Sequence, residues 1–297
     1  NLIICYKMKN KKIDFGERGV YRTDNKLNNL TGKEWVKSTK SWFIINPKRR
    51  KHDTILHPAK FPEELAKELV EYFTKENEIV FDPFLGTGST LVASKEILRK
   101  GCGIELNKKY ADISIQRLES SASKDHFVIC GDSSKIQSDL KKKIKNVLNK
   151  LNSKKFDFIL TSPPYWDMLN KSRGNILSAK KQHEIKGGDK NYSKKNSDLG
   201  NISDYENYMK LLIDVFSQSF KVLKKDGYMV VVIQNIRVKE GHMIPLAWDL
   251  AIRLSKRYVL KQERIWLQNN KRLNCWGYPS TYVSNVHHHY CLIFQKI

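Results

Sequence analysis

Short apolar runs along the chain alternate with longer stretches whose apolar residues recur every three or four positions, the pattern of an α/β protein. Runs rich in Val, Ile and Phe predict strands at 78–81, 101–106, 127–133, 156–160, 227–233, 258–267 and 287–296. Between them, helical spacing predicts helices at 91–99, 107–119, 137–154, 205–223 and 243–254. The first clear helix opens at Pro62, suited to a first turn, with Glu63 and Glu64 at its positive end and Leu65, Leu69, Val70 and Phe73 on one face. This alternation implies one doubly wound α/β domain with a mainly parallel seven-stranded sheet. No internal repeat interrupts it.

Three stretches lie outside the pattern. Residues 1–34 are polar and basic and predict an N-terminal arm with little core of its own, leaving 35–297 as the domain. Residues 170–200 are rich in Lys, Asn, Ser and Gly, and a loop of that length beside a site suggests ordering on an anionic partner. Residues 268–286 interleave Lys271, Arg272 and Trp276 with other polar and aromatic residues; they suit stacking on nucleic acid, or a solvated loop with a buried tryptophan.

Composition narrows the partner. Of 297 residues, 54 are Lys or Arg and 31 Asp or Glu, a formal net charge of +23. That excess suits a polyanion, although lysine-rich surface composition alone could supply it. Five scattered cysteines, with no CxxC pair, predict neither a zinc site nor disulfides and fit a reducing cytoplasm. No metal is expected. No apolar run approaches membrane-spanning length, and the start lacks signal-peptide order. His287, His288 and His289 read as strand and groove residues rather than metal ligands.

Candidate chemistry collects at the predicted strand ends. After strand 78–81 comes Asp82-Pro83-Phe84-Leu85-Gly86-Thr87-Gly88-Ser89-Thr90, in which Gly86 and Gly88 let backbone approach a ligand and the following helix offers unpaired N–H groups. The loop lacks the Gly-Lys-Ser/Thr of a P-loop and the third glycine of a dinucleotide fingerprint. Glu105 ends the next strand about twenty residues later, a spacing that suits ribose hydroxyls. Asp132 and Ser133 tip the third strand. Either acid alone could be a helix cap or a solvated acid; together at successive tips they suit one nucleoside. Strand 156–160 hands over to Thr161-Ser162-Pro163-Pro164-Tyr165-Trp166. The two prolines remove two backbone donors, so Ser162, the Pro163 carbonyl and the Tyr165 ring could face one planar ligand, or the turn could simply cap the strand.

These segments, with His57-Pro58-Ala59-Lys60-Phe61-Pro62 and Gly103-Ile104-Glu105-Leu106-Asn107, resemble the amino-group DNA methyltransferases that use S-adenosylmethionine to modify cytosine N4 or adenine N6. The resemblance spans about residues 35–297 and implies a class I methyltransferase, Rossmann-like fold with an antiparallel C-terminal strand. It implies that His57, Lys60 and Phe61, with Asp82, Phe84, Gly86, Gly88 and Ser89, surround the methionine moiety, that Glu105 binds the ribose, and that Leu106 is a further cofactor contact. Asp132 is implied near the adenine, with Ser133 and Thr161 among the cofactor-binding residues. The resemblance makes Ser162, Pro163, Pro164 and Tyr165 the catalytic turn; from the basic and aromatic loops, Arg173, Lys180, Lys181, Lys271, Arg272 and Trp276 are the expected DNA contacts. Serine before Pro-Pro looks most like the cytosine-N4 enzymes; adenine N6 remains an alternative. Many relatives place the catalytic turn before the glycine loop. Here the cofactor segments come first, a permutation that can keep the site but removes the usual slot for a large recognition domain. A double-stranded DNA substrate, a restriction-modification setting with a cognate endonuclease acting on the same sequence, and a cytoplasmic location are the corresponding expectations. RNA as substrate, or a nucleic-acid-binding module with a vestigial cofactor fold, are the other readings.

Overall fold

Eight strands form the main sheet of the computed structural model, in the order β3 (Trp42–Ile44), β11 (Val259–Leu267), β12 (His288–Gln295), β8 (Leu223–Ile233), β7 (Phe156–Thr161), β4 (Ile79–Asp82), β5 (Lys100–Glu105), β6 (His126–Cys130). The structure describes residues 11–46, 62–119, 124–166, 198–238, 242–271, 273, 275 and 277–297. The central strands are β4 (Ile79–Asp82), β5 (Lys100–Glu105), β6 (His126–Cys130), β7 (Phe156–Thr161) and β8 (Leu223–Ile233), all parallel to their neighbours within this set. β12 (His288–Gln295) runs antiparallel to β8 and to β11 (Val259–Leu267). The strand beyond the expected seven is β3 (Trp42–Ile44), three residues paired parallel to the end of β11. Such a short run leaves no periodicity to detect.

Alternation within each central strand sorts the core onto two faces. On β7, Ile159 joins one cluster, with Phe81, Met229 and Val231, and Phe156 joins it too because the register shifts between Phe156 and Phe158. Phe158 and Leu160 join the other, with Val80, Val230 and Val232. The first face is covered by α5 (Lys141–Lys150), α6 (Tyr205–Val222) and α7 (Leu246–Ser255), the second by α2 (Glu63–Phe73) and α3 (Ser89–Glu96). On α5 the lysines face water while Ile144, Val147 and Leu148 are buried, the expected amphipathic arrangement. α7 begins at Leu246, later than the expected 243, because Pro245 occupies its N-cap position and Met243–Ile244 form the short strand β10 paired with β9 (Ile236–Arg237).

The N-terminal region is more organised than the expected arm. β1 (Lys12–Asp14) and β2 (Val20–Arg22) pair antiparallel, and α1 (Gly32–Ser38) starts with a capping box in which Thr31 and Glu34 satisfy each other's backbone N–H groups. Buried Asn28 donates to the Tyr72 carbonyl at 2.8 Å. Buried Arg99, which donates to both the carbonyl and the hydroxyl of Thr74, also donates to Asn29 Oδ1 of the N-terminal region at 3.4 Å. At the other flank Arg264, 4% exposed, lies 4.4 Å from the Phe43 ring and 4.8 Å from the Tyr72 ring, and donates to the Lys40 carbonyl. These polar anchors let a segment with little apolar surface pack against the domain. Beneath it, at the N-terminal end of β7, is a cavity of about 690 Å³ lined in part by Trp35, Phe73, Asp157, Lys224 and Tyr228. It lies at the opposite end of the sheet from the candidate residues.

Candidate active site

Strand order reverses at β4, with β5 and β6 to one side and β7 and β8 to the other. In an open parallel sheet the crevice beyond the strand ends at such a point is the natural ligand site. The glycine loop leaves β4 there and the Ser-Pro-Pro-Tyr turn leaves β7 beside it. Asp82, fully buried, ties the two together. Its carboxylate accepts from Thr161 Oγ1 at 2.6 Å, Thr90 Oγ1 at 2.5 Å and the Phe84 N–H at 2.9 Å. Burial pushes this carboxyl up to about 6, against the three hydrogen bonds that favour the charged form. Asp82 and Thr161, expected at the cofactor, are therefore turned toward each other, both with no exposed surface.

Glu105 sits next to the same loop. One oxygen accepts from the Gly86 N–H at 2.8 Å and the other from the Asn107 N–H at 2.8 Å. Burial raises its carboxyl to about 7, the two backbone donors opposing. Gly86 and Gly88 have φ of 58° and 88°, values that favour glycine. A Cβ on Gly88 would also meet Ser114 at 3.1 Å. The back of the loop is held by α4 (Lys108–Glu119), where Ser114 donates to the Gly86 carbonyl and Arg117 to the Thr87 carbonyl and to Glu63. Ser89 is buried at the start of α3, and Phe84 is half-buried with its ring edge-on to Phe216. At the tip of β6, Asp132 caps a short turn through the Ser134 N–H, and Ser133 donates to the Pro83 carbonyl. Leu106 is half-buried between Glu105 and α4 in the chain.

The turn after β7 is held by aromatics. Ser162 and Pro164 are half-buried; Pro163 and Tyr165 are buried. Ser162 Oγ lies 3.5 Å from the Tyr165 hydroxyl, and Tyr208 donates to the Pro164 carbonyl at 2.7 Å. Burial pushes the Tyr165 phenol up. Trp166 packs edge-on against Tyr205 at 5.0 Å, and His289 lies 6.4 Å from the Tyr165 ring. The structure thus brings together the strand-tip residues from β4, β5, β6 and β7. Lys271 is exposed, following β11. His57, Lys60, Phe61, Arg173, Lys180, Lys181, Arg272 and Trp276 lie outside the described residues.

Sequence reasoning missed Ser114, Arg117 and Tyr208, which support the loops from behind. A serine in the apolar stripe of α4, opposite a glycine, was an available signal for the first. Arg117 and Tyr208 act through contacts distant in sequence, for which no local pattern exists.

Residues 1–116 and 156–297 match the model of the N6/N4 DNA methylases. The chain belongs to that family. Among similar methylases, the orphan methyltransferase M.BamHII of Bacillus amyloliquefaciens is 44% identical over 64 residues, 22% of this chain and 24% of that protein. The type II methyltransferase M.HindIII of Haemophilus influenzae is 40% identical over 75 residues, 25% of this chain and 24% of that one. M.BglII of Bacillus subtilis, also a type II methyltransferase, is 32% identical over 85 residues, 29% and 24% of the two chains. The matched stretches span about a quarter of the length of these curated relatives. Of the solved structures, TrmN of Thermus thermophilus aligns with a TM-score of 0.46 at 13% identity, over 79% of this chain and 48% of that one. The N6/N4 DNA methylase family is one of S-adenosylmethionine-dependent enzymes. Among the described residues no group of three or more His, Cys, Asp and Glu could hold a metal ion, and no helix is long and apolar enough to cross a membrane.

Proposed function

We propose that this methylase transfers a methyl group from S-adenosylmethionine to the exocyclic amino group of a base in double-stranded DNA, at cytosine N4. The observation that carries the reading is the Asp82 link, which sets the Ser-Pro-Pro-Tyr turn and the glycine loop at adjoining strand ends.

The residues fit the cofactor. Gly86 and Gly88 hold the positive-φ bend of the loop, with Gly88 packed on Ser114 behind it, and the Glu105 carboxylate, half-buried beside the loop, retains lone pairs for ribose hydroxyls. The start of α3 offers N–H groups to the cofactor's carboxylate. Bound there, the cofactor would supply an electrophilic sulfonium methyl. An exocyclic amino nitrogen has its lone pair delocalised into the ring, so acceptors on its hydrogens favour the more tetrahedral, nucleophilic form. Ser162 Oγ and the Pro163 carbonyl are those acceptors, and Tyr165 stacks on a base that has left the duplex. The chain then acts chiefly by positioning. Serine in the turn supports cytosine, adenine N6 being the alternative. The excess of positive charge supports a polyanionic substrate. A type II modification role, with an endonuclease cutting the same sequence, is the matching biological setting.

Incubation with labelled cofactor should mark duplex DNA and leave RNA unmarked, and nucleoside analysis should show N4-methylcytosine. N6-methyladenine would move the assignment to adenine, and labelling of RNA alone would overturn the substrate.

A further inference from the structure

An aromatic pair at the acceptor end of the sheet is not used by the chemistry above. Trp266 and His289 are register partners on β11 and β12, and their rings stack at 4.5 Å and 28°. The Trp266 indole donates to the Ile45 carbonyl at 2.8 Å, so the imidazole has a fixed backing. His289 Nδ1 is sealed from solvent and has no hydrogen-bond partner. A buried polar atom left in that state calls for a physical reason. Burial above all, then Lys271 and His288, pushes the imidazole down to about 3, leaving it neutral at physiological pH.

Tyr165 is 8% exposed and offers no free ring face. A base can stack on it only after the ring shifts, and His289, 6.4 Å away, is the aromatic neighbour beside which it would do so. In cytosine and in adenine the amino group stands beside a ring nitrogen whose in-plane lone pair makes it the better nucleophile. With the amino hydrogens taken by Ser162 Oγ and the Pro163 carbonyl, that nitrogen is an acceptor in need of a donor. The exposed Lys271 would bring a positive charge beside a nitrogen that gains positive charge during transfer.

We propose that His289 Nδ1–H donates to the ring nitrogen beside the target amino group, occupying its lone pair and steering the methyl to the amino nitrogen. The inference rests on the amino-transfer reading above. In the guided reaction the amino nitrogen–carbon bond forms as the sulfonium carbon–sulfur bond breaks, sulfur keeps the electron pair, and the amino group releases one proton, which passes to solvent water. In the unguided reaction the ring nitrogen forms the bond and no proton leaves, giving a cationic ring-methylated base.

The test separates these products. Duplex DNA methylated by the parent chain should yield amino-methylated nucleoside alone. His289→Phe, which keeps a flat ring over Trp266, should lower amino methylation about tenfold to a hundredfold, the range for a buried acceptor left unpaired. It should also produce ring-methylated nucleoside. His289→Asn, which returns a donor near Nδ1, should suppress the ring product. Folded His289→Phe protein that binds cofactor and gives no ring product overturns the proposal. A duplex whose target base has carbon in place of that ring nitrogen gives a second measurement that needs no variant. The parent should lose about tenfold on it, and a loss under twofold overturns the proposal. A parent that methylates no duplex would sink the proposed function itself, whereas an active parent with a tolerant His289→Phe variant sinks only this inference.

Discussion

The two halves of the candidate site are built by different means. Around the glycine loop the bonds run through backbone: Gly86 and Asn107 N–H groups to Glu105, and the Gly86 and Thr87 carbonyls to Ser114 and Arg117. Around the Ser-Pro-Pro-Tyr turn, rings carry the geometry: Tyr165 against His289, Trp166 against Tyr205, and the Tyr208 hydroxyl on Pro164. A backbone cradle holds one conformation and suits a cofactor that is always the same. Packed aromatics can trade one ring contact for another, which would suit the base proposed to enter from a duplex. Asp82 is the joint between them.

Breaking the joint should have the largest effect. Asp82→Ala strands the Phe84 N–H and two buried hydroxyls; it should cost about 2–4 kcal/mol in chemical denaturation and remove both cofactor binding and turnover. A variant that kept cofactor affinity would show that the halves are held independently. Tyr165→Ala should separate them, with kcat down about a hundredfold and cofactor affinity, by calorimetry, within about threefold of the parent. Glu105→Ala should do the reverse, weakening the cofactor about tenfold or more while leaving DNA affinity in a gel-shift assay little changed. Equal losses of cofactor affinity in these last two variants would erase the distinction.

The smallest effect is one of pH. Because burial raises the Glu105 carboxyl to about 7, the charged acceptor form dominates only above that value. Cofactor affinity should therefore fall severalfold as pH drops from about 8 to 6, and Glu105→Gln should flatten the profile. Folding responds with the opposite sign: the neutral form is the favoured one in the folded chain, so its contribution is full below the ordinary carboxylate value near 4.5 and is lost as pH rises through about 7. Thermal melts of the ligand-free protein across that window would read it.

How much of this was legible depends on how local each cause is. The strand-loop-helix punctuation of 79–96 is written in consecutive residues, as is the strand-turn of 156–166, and both lie where the apolar runs put them. The inward turn of Asp82 was hidden, because its partners Thr90 and Thr161 are placed by the sheet rather than by the chain. Thr31 and Glu34 announced α1 at capping-box spacing, yet the polar surroundings masked it. Of the three histidines expected in a strand, His288 and His289 lie in β12 and His287 just before it, and which of the rings would stack on Trp266 follows only from the pairing of β11 with β12.

The short eighth strand has a consequence for handling the protein. A nine-residue outer strand such as β11 exposes a row of amides on which another chain could build. β3 occupies the rim only along Ile265, Trp266 and Leu267, while toward the other end β11 carries an irregularity between Leu260 and Gln262 and the charged residues Lys261 and Glu263. Arg264, wedged between Phe43 and Tyr72, acts as the rivet for that patch. Loss of the rivet, as in Arg264→Ala, would open the rim to intermolecular β-pairing, and concentrated stocks of that variant should thicken or precipitate before their melting temperature predicts it.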